Sequence, residues 1–174
     1  MSETPDGIVL KRDRDLVGRE RDLWVRRGLF MLAPVVTVLA LLNTFGQRPE
    51  ETQAATPAAT LKVRAPERVR GGLIYQARFE IHPNTSLRNA VLVLAPGWFE
   101  SMTVNTIEPS PASEHSVDGE TALELGPVRA GASFVLYMQF QVNPTSVGRR
   151  SQRVRLFDGT SLLLTLQRTI TVFP

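Results

Sequence analysis

From Gly28 to Gly46 the chain reads GLFMLAPVVTVLALLNTFG, 19 residues without a charge. A helix rises about 1.5 Å per residue, so this run would span roughly 28 Å, close to the hydrocarbon thickness of a bilayer. Pro34 lies near the start of the run, where a missing N–H costs less than at mid-helix, and Asn43 and Thr44 sit at its far end. The run predicts one transmembrane helix over residues 28–46. Six arginines precede it within residues 12–27 (Arg12, Arg14, Arg19, Arg21, Arg26, Arg27), whereas residues 47–61 hold only Arg48. That asymmetry places the N-terminus in the cytoplasm and the remainder outside the cell membrane. Trp24, Arg26 and Arg27 are the expected interface anchors, because an indole ring and long cationic side chains settle at headgroup level. A cleaved signal is the competing reading. Against it, the apolar run exceeds the about 7–15 residues of a signal core, and a long arm precedes it.

The flanking segments read differently. Residues 1–27 form a cytoplasmic arm, partly helical, in which Leu16, Val17, Leu23, Trp24 and Val25 recur as a narrow apolar stripe. Asp15 with Arg19 and Asp22 with Arg26 have the acid-first i,i+4 spacing that supports a helix. Residues 47–59, QRPEETQAATPAA, show no periodicity and read as a flexible linker of roughly 20 Å reach. From Thr60 onward short alternating runs take over. Tyr75, Ala77, Phe79 and Ile81 alternate with Gln76, Arg78 and Glu80, and Phe134, Leu136, Met138, Phe140 and Val142 repeat the pattern. Ala90–Leu94 is continuously apolar, which suits a central strand. Further strands are expected at Leu61–Ala65, Met102–Ile107, Thr121–Leu125, Gln152–Phe157 and Leu162–Val172, with Glu108–Asp118 as a long loop. Asp118-Gly119 and Asp158-Gly159 are turn signals, the second a good hairpin tip. The fold class is therefore all-β: residues 60–174 make an Ig-like β-sandwich of seven to nine strands, preceded by one transmembrane α-helix.

The pieces Gly72…Tyr75–Ile81, Val91–Leu94 with Pro96-Gly97-Trp98-Phe99, Leu123–Gly131, Phe134–Val142 and Gly148 together resemble bacterial Ig-like conserved-repeat domains of surface and envelope proteins. The resemblance covers Arg70–Gly159, in one copy, and Asn84-Thr85-Ser86 stands where that family carries Asn-x-Gly. It implies a spacer, adhesion or assembly module without catalysis.

Composition narrows the chemistry. The chain has no Cys and two His, which removes a disulfide framework, a thiolate zinc site and a cysteine nucleophile. Of its 20 basic residues only Lys11 and Lys62 are lysines, a usage typical of GC-rich bacterial genomes. The net charge of +3 is small for a nucleic-acid binder, and no nucleic-acid partner is expected. No nucleophile elbow or phosphate loop is present. His82 before Pro83 and His115 in a polar loop read as exposed side chains. Glu108, Glu114, Asp118, Glu120 and Glu124 form an acidic series that lacks any calcium-loop signature. No catalytic residue, cofactor or metal ligand is assigned.

The candidate interaction residues are basic and aromatic. Arg149, Arg150, Arg153 and Arg155 cluster, with Arg153 and Arg155 on one strand face, and Arg64, Arg68 and Arg70 form a second group. Arginine suits bidentate capture of phosphate or carboxylate, whereas a charged sheet face also simply prevents edge pairing. Trp98 and Phe99 are either a stacking platform or core. The expected role is a structural or accessory interaction subunit of a membrane or envelope assembly, tethered to the bilayer through residues 28–46 and holding a membrane or envelope protein. The alternative is a binding module for anionic envelope polymer, glycan or lipid headgroups.

Overall fold

The computed structural model describes residues 20–42 and 47–174. The chain divides into two compact units at residues 45 and 46. In the first, α1 runs over Glu20–Leu41, 22 residues or roughly 33 Å. It begins before the apolar run, so the basic flank and the span form one helix, and Arg21–Leu41 is long and apolar enough to cross a membrane. Pro34 consequently lies inside the helix, where it withholds the N–H that the Phe30 carbonyl would accept. Its apolar side chains, including Phe30 and Leu41, are exposed within the unit. Leu16 and Val17 of the arm, and Asn43 and Thr44 at the end of the run, lie outside the described residues.

The second unit is a β-sandwich. One sheet has the order β1-β2-β4-β9-β6, from β1 (Pro49–Ala55), β2 (Ala59–Pro66), β4 (Ile74–Pro83), β6 (Met102–Glu108) and β9 (Phe134–Val142). The facing sheet has the order β12-β11-β5-β8-β7, from β5 (Leu87–Leu94), β7 (Ser113–Val117), β8 (Glu120–Val128), β11 (Val154–Asp158) and β12 (Ser161–Leu166). A three-stranded sheet, β10-β13-β3, is built from β3 (Arg68–Arg70), β10 (Gly148–Ser151) and β13 (Thr169–Phe173). Alternation places Tyr75, Ala77, Phe79 and Ile81 of β4 against Leu136, Met138, Phe140 and Val142 of β9 on the inner face, and Leu92, Leu123 and Leu156 meet them from the other sheet. The hairpin tip at Asp158 does more than turn. Its Oδ1 accepts the backbone N–H of Arg88 (2.8 Å) and Asn89 (3.0 Å), tying β11 to the start of β5.

Four sequence expectations are corrected. Residues 47–59 are not a free linker, because Pro49–Ala55 pairs antiparallel with β2 along its length, from Pro49↔Pro66 to Ala55↔Thr60. The Glu108–Asp118 segment is not all loop: β7 pairs with β8, and Asp118 and Gly119, with φ of 52° and 77°, form the tip between them. Leu162–Val172 is not one strand. Gln167-Arg168 carries the chain from β12 in one sheet to β13 in another, and Arg168 anchors the crossing by donating to the carbonyls of Ala65 (3.0 Å) and Pro66 (3.1 Å). The described residues therefore hold thirteen strands in place of seven to nine.

Candidate interaction surfaces

The arginines separate into three environments. Arg149 pairs across β10–β13 with Thr171, which pairs in turn with Arg68 on β3, so the two arginines flank one threonine in a single row. In the adjoining row Phe173 is opposite Arg70, and Val147 stands one residue before the Gly148↔Val172 pair. Arg68, Arg70 and Arg149 are exposed, whereas Val69, Ile170 and Val172 between them are buried. The period of two has turned one face of this small sheet into the core and the other into a basic, partly apolar surface. Arg150 alternates inward. Its side chain is only 9% exposed, and its Nε lies 3.7 Å from Glu100 Oε1.

Arg153 and Arg155 share a face, as their spacing indicates, and both bind the buried Glu120 of β8. Arg153 donates to Oε1 at 2.7 Å, and Arg155 donates to Oε2. These two guanidinium groups are thereby committed to an internal ion pair and are not a free anion cradle. Burial pushes the Glu120 pKa up, but the hydrogen bonds and charges of the two arginines outweigh it and hold the carboxyl below its usual value. A carboxylate with a lowered native pKa contributes stability that is fully present above its unfolded value. That contribution is lost as pH falls through the native value. The urea midpoint of the wild type should therefore drop between pH 6 and pH 3 more steeply than that of Glu120→Gln. Parallel curves for the two proteins would show that the triad contributes nothing.

Beside the triad lies a feature that the arginine count did not reveal. β5 sits at the centre of its sheet, and its continuous apolar run turns Leu92 and Leu94 inward but Val91 and Val93 outward. Val91 and Val93 meet Ala122 of β8 and Phe157 of β11 in a separate apolar cluster on the outer face. The resulting shallow groove, about 430 Å³, is closed at its margins by His115, Val117 and Glu124. Arg155 lies over the Phe157 ring at 5.4 Å. Leu162, opposite Phe157 on β12, is 54% exposed and extends the apolar strip. The signal was present in the sequence: a run apolar on both faces needs cover on both, and here neighbouring side chains cover the outer one, leaving Val91, Val93 and Ala122 only 8%, 6% and 1% exposed at the groove floor.

The aromatic platform is overturned. Trp98, in the single turn of 3-10 helix at Pro96–Trp98, is 0% exposed. Its ring lies 5.1 Å from that of Phe79 and 5.6 Å from that of Phe140, with the buried Arg168 guanidinium 5.3 Å from its centroid. Phe99 is half-buried against the same core. Nearby, Tyr75 accepts from Gln152 Nε2 at 3.2 Å, and burial, only partly offset by that bond and the Arg168 charge, pushes its phenol up to about 12. Burial also lowers the Arg168 pKa. Sequence inspection missed Arg168 and Gln152, since a single Arg or Gln in a strand-rich segment carries no spacing signal. In the helix, Trp24 is 71% exposed and the Arg27 guanidinium lies 5.7 Å above its ring, with Arg26 beside it in sequence.

The histidines are placed on strands and not on loops. His82 Nε2 lies 2.7 Å from Glu80 Oε1 and 3.4 Å from Ser133 Oγ. A Ser-His-acid relay uses the two ring nitrogens separately, one toward each partner, and this arrangement puts both partners on the same nitrogen. His115 Nδ1 lies 3.9 Å from Glu124. Among the described residues no group of three or more His, Asp or Glu is placed to hold a metal ion; Glu120 of the acidic series is occupied by arginine.

No family model matches the chain, and no curated protein matches it in sequence. Among solved structures it is similar to a non-cellulosomal cohesin from Archaeoglobus fulgidus, at 13% identity and a TM-score of 0.39, covering 62% of this chain and 86% of that one. It is similar to the C-terminal domain of wzt, at 14% identity and a TM-score of 0.42, covering 74% and 81%. A CARDB domain from Pyrococcus furiosus shows 12% identity and a TM-score of 0.39, covering 68% and 97%. At these identities and TM-scores the likenesses assign no role to the chain.

Proposed function

We propose that this chain is a single-pass bacterial membrane protein, N-terminus in the cytoplasm, whose Ig-like sandwich serves outside as an accessory interaction subunit of an envelope assembly. The mechanism is tethering without catalysis: α1 sets the location, and a sandwich face supplies recognition. One observation carries the reading, the outward apolar groove of Val91, Val93, Ala122 and Phe157. It lies in the sheet that ends at β7, whose second edge pairs with no strand among the described residues and whose five residues are all exposed. A partner protein can use both features. Its backbone adds to the edge of β7, and apolar side chains from another part of it cover the groove, which starts about two strand spacings, roughly 10 Å, further in. The ion-paired Arg153, Arg155 and Glu120 then form a polar rim that excludes water without competing for the partner.

The test is affinity purification of the tagged full chain from its native membrane in mild detergent, with the double variant Val117→Asp/Leu162→Asp alongside. Both positions are exposed, at 39% and 54%, so charge there leaves the fold intact. The wild type should bring down a stoichiometric membrane protein, and the variant should lose it at least tenfold while keeping its urea midpoint. Replacing residues 28–46 by an unrelated span should also weaken the association. A partner retained by the double variant would show that the groove is not the recognition face. A wild-type chain emerging alone would end the accessory reading.

A further inference from the structure

We propose that the outer face of the three-stranded sheet docks on the anionic headgroups of the bilayer that α1 crosses, an inference that rests on the anchored reading of α1. The face is assembled from three distant segments, residues 68–73, 147–151 and 169–174, which present three outward arginines, Arg68, Arg70 and Arg149, and hold no acidic side chain. Pairing in β10-β13-β3 sets Arg149, Thr171 and Arg68 in one row and places Phe173 opposite Arg70 in the next. Gly71 donates to the Phe173 carbonyl at 2.8 Å and Gly72 to the Val142 carbonyl at 3.0 Å, which brings Leu73 to the margin of the same surface. Leu73, Val147 and Phe173 are 45%, 54% and 45% exposed. Large apolar side chains interleaved with guanidinium groups suit a bilayer interface. The apolar parts enter the headgroup–acyl boundary; the forks of Arg68 and Arg149 take phosphates bidentately, and Arg70, whose Nε donates to the Pro174 carbonyl at 3.2 Å, adds its charge and its remaining N–H groups.

The nearby acids do not cancel this charge. Glu67 and Glu50 both contribute to the field at the buried Arg168, and Glu100 lies against the inward Arg150. The direction of the chain supplies the second argument. Pro49 pairs with Pro66, two residues before β3, so the strand that follows the tether starts at this end of the sandwich. Seven residues, 42–48, separate α1 from β1, and whatever their conformation they reach at most about 25 Å. The other end is formed by turns at Thr56-Pro57-Ala58, Asn84-Thr85-Ser86 and Gly159-Thr160, which carry no large apolar side chain.

The chain has no cysteine, so one introduced thiol gives a unique label. Full-length protein carrying Val147→Cys, labelled with a polarity-sensitive bimane, would be reconstituted in nanodiscs of phosphatidylcholine alone or with phosphatidylglycerol. A blue shift in the anionic discs, absent for the same label at Thr160→Cys, is the expected result. Adding Arg68→Gln, Arg70→Gln and Arg149→Gln should lower the docked-to-undocked ratio about a hundredfold, and raised salt should act in the same direction. A retained chain whose Val147 label responds equally to both lipids overturns the docking face and leaves the anchor standing. A chain stripped from the discs by alkaline wash overturns the anchor, and the proposal with it. A shift caused by a soluble polyphosphate polymer but not by phosphatidylglycerol replaces the membrane by envelope polymer and overturns the choice of lipid.

Discussion

Trp98→Ala should destabilise the sandwich by about 4 kcal/mol, the largest effect of any single truncation in this chain. Trp98 is the largest of the fully buried side chains. It stands where both five-stranded sheets and the three-stranded sheet contribute to one core. Deleting the indole removes its contacts with Phe79 and Phe140 and leaves the Arg168 guanidinium, now 5.3 Å from the ring centroid, facing a void. A buried cation that loses its aromatic face gains no compensating partner, so the cavity cannot close cheaply. Trp98→Phe should be far milder, below about 1.5 kcal/mol, because it keeps a ring and removes an indole N–H that donates to no protein group among the described residues. Urea unfolding followed by far-ultraviolet circular dichroism reads both. Equal losses for the two variants would mean that the indole N–H, and not packing volume, holds this position.

How much of this was legible follows from what each strand buries. β4 and β9 announce themselves by alternation because one face is solvated and the other is core. β1 and β7, PEETQAA and SEHSV, are edge strands with little or no inward apolar surface, held by ladder hydrogen bonds that every sequence can make, so no side-chain pattern marks them. β12 and β13 merged into one expected strand because apolar residues continue through both, and only the buried Arg168 between them marks the change of sheet. The arginine cluster was half-readable. Spacing put Arg153 and Arg155 on one face, but Glu120, 33 and 35 residues earlier, comes from another strand. Arg149 and Arg68 meet only through the parallel pairing of β13 with β3, a long-range event that leaves no local trace.

Gly97→Ala is the second large effect, about 3 kcal/mol, and it links the core to the proposed docking face. A Cβ at position 97 would lie 2.1 Å from the Ser151 carbonyl oxygen, 3.0 Å from the Ser151 carbonyl carbon and 3.3 Å from Arg150 Cβ. The first obstacle is backbone, so no rotamer change relieves it. Either the Pro96–Trp98 turn retreats, dragging Trp98 out of its packing, or β10 moves away. β10 carries Arg149, and its displacement breaks the row formed with Thr171 and Arg68. The variant should therefore show a lowered urea midpoint together with a reduced blue shift of the Val147 label in phosphatidylglycerol discs. Membrane retention by α1 should remain unchanged. That combination would separate the two units: on the proposed anchoring the helix retains the chain in the bilayer whether or not the sandwich is well packed, whereas the proposed docking requires β10 seated on the glycine. A midpoint within about 0.5 kcal/mol of the wild type would mean that β10 yields freely, and a face on so yielding a strand has no fixed arginine geometry to offer a phosphate.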